Sequence, residues 1–445
     1  MSSCKVLQTD VAASDLERQL KADMKKQSQL SKDGLTMECP SWLNQEYMEQ
    51  CLRSHYNDNE LEILKFQATP CLGKGENYLG VLTRVKVEFL LPSKNVTETR
   101  SYVVKSMLQD KIFDEVYGSD VFLCEMIMYE KVIPKLKTLL SDINETEEIF
   151  ARTVAVDRRR SCLIFEDLNE RNYFTVDRLK GLNREIVELM LRKLAKMHAA
   201  SAVLNERESG YLESFQRGLV SRHNDKNYSV VTGMFDACKK FVAQSPGFQD
   251  ISQKLEKLKD NYMELCLRVF DPMPNHLNVL NHGDLWSTNI MVKYDPVSGK
   301  PLDMIIIDYQ FVVWGSPGID LWYNFNTSLE EDLHLNKQDE LIQNYYYTLS
   351  DTLKKLSFQG HIPTLHEFHL QLEEKAFYRL HSTCFIQPIH RCIDTGDADF
   401  ATLIKNTKHA MQFKESCYTK NPYCQRIIRH LLPKFERKGL LCLNQ

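Results

Sequence analysis

The run "LNHGDLWSTNIMVKYD" (280–295) sets His282, Asp284 and Asn289 in a short polar stretch between two apolar ones. A second run, "DMIIIDYQ" (303–310), ends a β-branched stretch on another carboxylate, Asp308. Phosphoryl transfer uses such groups. A carboxylate accepts or orients the proton of the attacking hydroxyl, and further oxygen ligands hold Mg2+ against the phosphates. Asp284 in a loop, the Asn289 amide five residues on, and Asp308 on a neighbouring strand would supply that set. The turn "DPVSGKP" joins "IMVKY" to "LDMIIID", so a hairpin is expected to bring Asp308 back beside Asn289. His282 is expected to brace the loop by hydrogen bonds.

The phosphate side of such a site needs donors. "CLGKGENYLG" (71–80) is a glycine-rich turn between two strand-like stretches. Gly73 and Gly75 allow backbone to approach a phosphate without Cβ obstruction, and Asn77 completes the candidate cofactor contacts there. A glycine pair between strands also makes an ordinary hairpin. Lys105 lies mid-strand on the side of Val103. If that side is a cleft, its ammonium can bridge nucleotide phosphates and a helix carboxylate, with Glu125 the first partner and Glu130 the second. A lysine poised for a ligand is expected to add little to the unliganded fold.

These groups need a scaffold. Residues 1–38 read as a polar arm, disordered or loosely helical. Folded structure is expected from "CPSWLNQEYMEQCLRSH" (39–55), with Ser41 as cap and Trp42 as anchor. Val81, Thr83, Val85, Val87 and Phe89 alternate with Leu82, Arg84, Lys86 and Glu88 as a half-buried strand, and "SYVVKSM" (101–107) reads as its hairpin partner. A helix over 120–136, the strand-like "IFARTVAVD" and "SCLIFEDL", and an amphipathic helix over 183–204 follow. After Asp320 the pattern is helical. The expected class is α+β: a small antiparallel sheet lobe (39–165) before a larger, mainly helical one (166–440).

Composition narrows the partners. The chain has 445 residues, 43% hydrophobic and 26% charged, with net charge −4, so neither nucleic acid nor an anionic membrane is an expected partner. No obligate protein partner is inferred. No apolar run reaches the ~18 residues of a spanning helix, and the first thirty residues lack a signal-peptide core. Thirteen scattered cysteines without a CxxC pair suggest reduced thiols and a cytoplasmic protein. His381, Cys384, His390 and Cys392 cluster in sequence, but their spacing fits no common zinc pattern.

His282-Gly283-Asp284-x-x-x-x-Asn289 with Asp308 resembles the kinase signature in the form used by aminoglycoside and choline kinase-like phosphotransferases. "GKGENY", "LAKMHAAS", "LNHGDLWSTNIMVKYD" and "IIDYQFVVWGSPGIDL" more closely resemble the insect ecdysteroid kinase-like (CHK kinase-like) family, from about residue 40 to about 435. The resemblance implies a protein kinase-like two-lobed fold with ATP and Mg2+ as cofactors. It implies Asp284 as catalytic base, Asn289 and Asp308 as Mg2+ ligands, and Lys105 as the phosphate lysine paired with Glu125. It also implies that Asp320 fixes the catalytic loop from beneath, a residue whose plainer reading is a helix N-cap. "LIFEDL" (163–168) would be the hinge, its backbone around Glu166 and Leu168 facing adenine. Tyr78 in place of a third glycine, and Asp308-Tyr309-Gln310 in place of Asp-Phe-Gly, depart from protein kinases.

Only eleven residues separate Asp308 from Asp320, too few for a peptide-binding activation segment. A pseudokinase would be expected to have lost Lys105, Asp284, Asn289 or Asp308, and none is lost. The favoured reading is a small-molecule kinase acting on a hydroxyl of an ecdysteroid-type steroid. The alternatives are a detoxifying kinase of hydroxylated xenobiotics or a catalytically weak pseudokinase. After residue 330 there are 13 Asp+Glu and 15 Lys+Arg, no acidic excess for a polycation. Tyr345, Tyr346, Tyr347, Phe358, Phe368, Phe377, Tyr378 and Phe385 are core candidates, some of which could line an apolar cleft.

Overall fold

Among the described residues the first helix, α1 (Gln45–Tyr56), begins where the Asn44 side chain accepts from the Tyr47 N–H. The cap is therefore Asn44 and not Ser41. The computed structural model describes residues 39–71, 80–107, 120–222, 228–393 and 407–442. Strands β1 (Glu62–Pro70), β2 (Gly80–Leu91), β3 (Val96–Met107), β4 (Thr153–Asp157) and β5 (Cys162–Glu166) form one antiparallel sheet in the order β1-β2-β3-β5-β4. The β2–β3 hairpin follows from the period-two alternation. Val85, Val87 and Phe89 of β2, with Tyr102 and Val104 of β3, bury one face under Leu52 of α1. Lys105 points to the other face, opposite Leu82 and Leu163.

That second face belongs to a much larger core, which continues through the helices. The expected helix over 120–136 is instead α2 (Asp120–Ile127), a π-turn at Met128–Val132, and α3 (Ile133–Asp142). Pro134 sits in the first turn of α3, where a missing N–H costs little. The long helix α4 (Arg184–Arg207) starts at an Asn183 cap and is almost wholly buried from Lys193 to Asn205.

Two small β units carry the polar motifs. Strands β7 (Val279–Asn281) and β10 (Val313–Gly315) pair antiparallel. Strands β6 (Tyr173–Thr175), β8 (Ile290–Tyr294) and β9 (Pro301–Ile306) form a three-stranded sheet. The β8–β9 hairpin sets Ile290 opposite Ile306, with its turn held by Asp295 accepting from the Val297 and Ser298 N–H groups. Asp308 stands two residues beyond β9, not within it. Helix α5 (Gly318–Thr327) follows β10 and is buried along its whole length.

Candidate active site

The loop after β7 is shaped by one residue beneath it. The His282 and Gly283 N–H groups donate to the two Asp320 oxygens at 2.7 and 2.8 Å, and His198 Nε2 of α4 lies 3.1 Å from Asp320 Oδ2. Asp320 is in the first turn of α5, whose N-cap is Pro317, so it is not the cap residue. It is fully buried, and these donors satisfy it. Gly283 has φ +80°, and a Cβ there would lie 1.9 Å from the Phe311 carbonyl oxygen, so no side chain fits. His282 is fixed twice. Its Nε2 donates to the Ile307 carbonyl at 2.9 Å, and its Nδ1 accepts from the Asp284 N–H at 3.3 Å. A carbonyl only accepts, so this is the neutral Nε2–H tautomer, and burial lowers the His282 pKa in agreement.

Asp284 emerges from this cradle only partly buried. Its Oδ1 accepts from the Tyr323 hydroxyl at 2.5 Å and its Oδ2 from Asn289 Nδ2 at 3.1 Å. Burial pushes its carboxyl up to about 8, while the bonds from Tyr323 and Asn289 pull the other way. A carboxylate near that value can exchange a proton around neutral pH. Asn289 Nδ2 also donates to the Asp284 carbonyl at 2.9 Å, so the amide oxygen is turned away from Asp284.

The hairpin then brings Asp308 in. The Ile307 N–H donates to the Asn289 carbonyl at 3.0 Å, and Asp308 adopts φ +70°, a left-handed conformation that Asp tolerates better than most residues. Asp308 Oδ1 lies 2.8 Å from Lys105 Nζ, which lies 2.6 Å from Glu125 Oε2. Burial alone would lower the Lys105 pKa, but Asp308 and Glu125 more than offset it and the net shift is upward. Burial raises the Glu125 carboxyl against the pull of Lys105. Glu130 pairs instead with Arg158 at the surface. Lys105 is not a lysine waiting in solvent. It is buried between two carboxylates, and the expectation that it adds little to the fold gives way to that geometry.

The Asn289 amide and Asp308 carboxylate are hard oxygen donors, the kind that suit Mg2+. Two protein oxygens fit an ion that usually keeps waters and takes the rest of its shell from phosphates. At the other end of the sheet, Glu166 closes β5 and Leu168 opens a 3₁₀ turn (Leu168–Arg171). Asp167 between them caps that turn and accepts from Ser101 Oγ at 2.8 Å and from Arg84 Nε at 2.6 Å. Gly73, Gly75 and Asn77 lie outside the described residues.

Several partners were not singled out from the sequence. Tyr323 had no motif; only its place three residues after Asp320, on one face of a helix, could have signalled it. His198 lay in a quoted run without a role. Asn281, whose Nδ2 reaches the carbonyls of Val279, Val313 and Gly315, ties β7 to β10. The aromatic candidates are mostly core: Tyr345, Phe368, Tyr378 and Phe385 are buried, while Tyr347 is 58% exposed. Near Asp284, Trp286 of its own loop stacks on His390 with centroids 3.9 Å apart. His381 bonds Tyr262 at 2.5 Å, and among the described residues no cluster of His, Cys, Asp or Glu could hold a metal ion by itself.

The model of the ecdysteroid kinase-like family matches residues 74–358, more than half of this chain. No match is found among curated proteins. A solved structure titled "Glucosamine kinase (crystal form B)" is 10% identical over 85% of this chain and 95% of that one, with a TM-score of 0.23, too low to carry an argument.

Proposed function

We propose that this chain, which belongs to the ecdysteroid kinase-like family, is an ATP- and Mg2+-dependent kinase that phosphorylates a hydroxyl of a small apolar molecule, most specifically a steroid of the ecdysteroid type. Family membership supports a small-molecule phosphotransferase in general. One observation carries the cofactor reading: a continuous set of bonds runs Asp284–Asn289–Ile307 N–H and then Asp308–Lys105–Glu125, joining residues from distant parts of the chain. Their types are those that phosphoryl transfer needs.

MgATP, when bound, supplies the phosphoryl group and the cation that screens its charge. The chain's own groups do the rest. Lys105 would release Asp308 to the cation side and meet the phosphates, still held by Glu125. Asn289 would offer its amide oxygen beside Asp308. Asp284 would orient the acceptor hydroxyl and take its proton as the new O–P bond forms and the bond from the γ-phosphorus to the ADP oxygen breaks, ADP being the leaving group. The hinge reading of Glu166 and Leu168, the phosphate contacts of Gly73, Gly75 and Asn77, and the division into a nucleotide-binding lobe (39–165) and a catalytic lobe (166–440) of kinase-like form belong to the same proposal.

The acceptor reading rests on chemistry. The residues after 330 carry no acidic excess for a cation, so burial of an apolar skeleton, at roughly 25 cal/mol per Å², is the available source of affinity. The test is a panel of ecdysteroids, hydroxylated plant-type aglycones, choline and an aminoglycoside. Each is incubated with MgATP and assayed by mass for an added phosphate. Phosphorylated ecdysteroid is the expected result. Modification of choline or the aminoglycoside alone would sink the steroid reading and leave a kinase standing. Modification of the plant aglycones alone would favour the detoxifying alternative.

A further inference from the structure

Asp284 is held from the helical side by a chain of three rings, of which only Trp286 lies in the motif around Asp284. Tyr323, 1% exposed on α5, donates its hydroxyl proton to Asp284 Oδ1 at 2.5 Å. That proton being committed, the Tyr323 oxygen acts as acceptor toward His390 Nε2, 3.4 Å away. His390 therefore carries its proton on Nε2. Its Nδ1 has no partner among the described residues. Burial, with Arg178 and Arg391 near, holds the imidazole at about 3 and hence neutral. Trp286, in the same loop as Asp284, stacks on the ring at 3.9 Å and 24°, and Arg178 Nη1 donates to the His390 backbone carbonyl at 2.8 Å, holding the main chain that carries the ring.

We propose that Tyr323 and, through it, His390 are positioning residues that fix the rotation of the Asp284 carboxylate, so that one oxygen stays on Asn289 while the group faces the acceptor hydroxyl. This rests on the kinase reading of Asp284. A carboxylate turns about one soft terminal torsion. Asn289 alone pins only one of its oxygens; Tyr323 pins the other. His390 stops the Tyr323 hydroxyl from rotating away, and the Trp286 stack ties that restraint back to the catalytic loop.

The test uses the full-length protein and the variants Tyr323→Phe, His390→Phe and the double variant. His390→Phe keeps an aromatic ring against Trp286 and removes both ring nitrogens, the Nε2–H that meets Tyr323 among them. Crystal structures without nucleotide are expected to show the Asp284 carboxylate rotated off Asn289 Nδ2 in Tyr323→Phe. An unmoved carboxylate overturns the proposal whatever the turnover. With MgATP and water as acceptor, phosphate release by Tyr323→Phe is expected to fall about 10- to 100-fold in kcat, with KM for ATP within about twofold. His390→Phe should fall less, and the double variant should be no slower than Tyr323→Phe alone. A rise in KM for ATP as large as the fall in kcat, together with a lowered melting temperature, would assign a merely structural role, and additive losses would remove His390 from the restraint. If Tyr323→Phe does not fold, the carboxylate geometry in His390→Phe decides. A wild-type chain that does not bind MgATP would instead overturn the kinase reading, a result seen before any variant is made.

Discussion

Asp320 and Asp284 lie on the two sides of one loop and have opposite fates. Asp320 is fully buried, and two backbone N–H groups and an imidazole nitrogen saturate it. Asp284 is more exposed at the surface of the loop, and burial pushes its carboxyl up to about 8 against the pull of its two side-chain donors. Two carboxylates of the same type are thus separated by their donors. Fixed backbone donors make one a structural clasp; the other has only side-chain donors, and burial raises its affinity for a proton.

The comparison is sharpest in substitution. Asp284→Asn is expected to lower transfer by about 10²–10⁴-fold, with MgATP affinity and urea stability nearly unchanged; wild-type turnover would remove Asp284 from the mechanism. Asp320→Ala is expected to act on the fold first. It strands the His282 and Gly283 N–H groups in the core, at a cost of about 3 kcal/mol or more in urea unfolding. A stable but inactive Asp320→Ala would reverse the two roles.

Lys105→Met should do both. Activity is expected to fall strongly. The unliganded protein should also lose stability, because buried Glu125 is left without its cation. The pH dependence has a definite sign. Burial already holds the folded Glu125 carboxyl above its ordinary 4.5, and removing Lys105 lifts it further. Such a group favours the folded state below its unfolded pKa and loses that contribution as pH rises through the folded value. The stability deficit of Lys105→Met in metal-free buffer should therefore be larger at pH 8 than at pH 5. An equal deficit at both would mean that Glu125 is not the group left behind.

Asp308→Ala is expected to weaken ATP binding only in the presence of Mg2+, and chelation should reproduce that loss in the wild type, both read by titration calorimetry. ATP binding indifferent to Mg2+ would end the metal assignment of Asn289 and Asp308. The smallest expected effect is on the acceptor: steroid affinity should change little between low and high salt, whereas a cation held by carboxylates would weaken as the field is screened.

What was legible in the sequence is what short-range spacing controls. The β2–β3 hairpin follows from a period of two, and the β8–β9 hairpin from a turn between two apolar runs, so the convergence of Asn289 and Asp308 could be anticipated. Lys105 and Glu125 were paired by strand side and helix face. The misplacements were also local: the Asn44 cap, the π-turn at Met128–Val132, and Asp308 lying past the strand with φ +70°. What only the tertiary structure decided is which groups surround each carboxylate. His198 comes to Asp320 from 122 positions away, and His390 comes to Tyr323 from 67. Hydrogen bonds between side chains so far apart leave no periodic trace, because nothing in the intervening sequence must repeat to form them. Burial and donor supply set whether an aspartate holds a loop or accepts a proton, and both are properties of the packed chain.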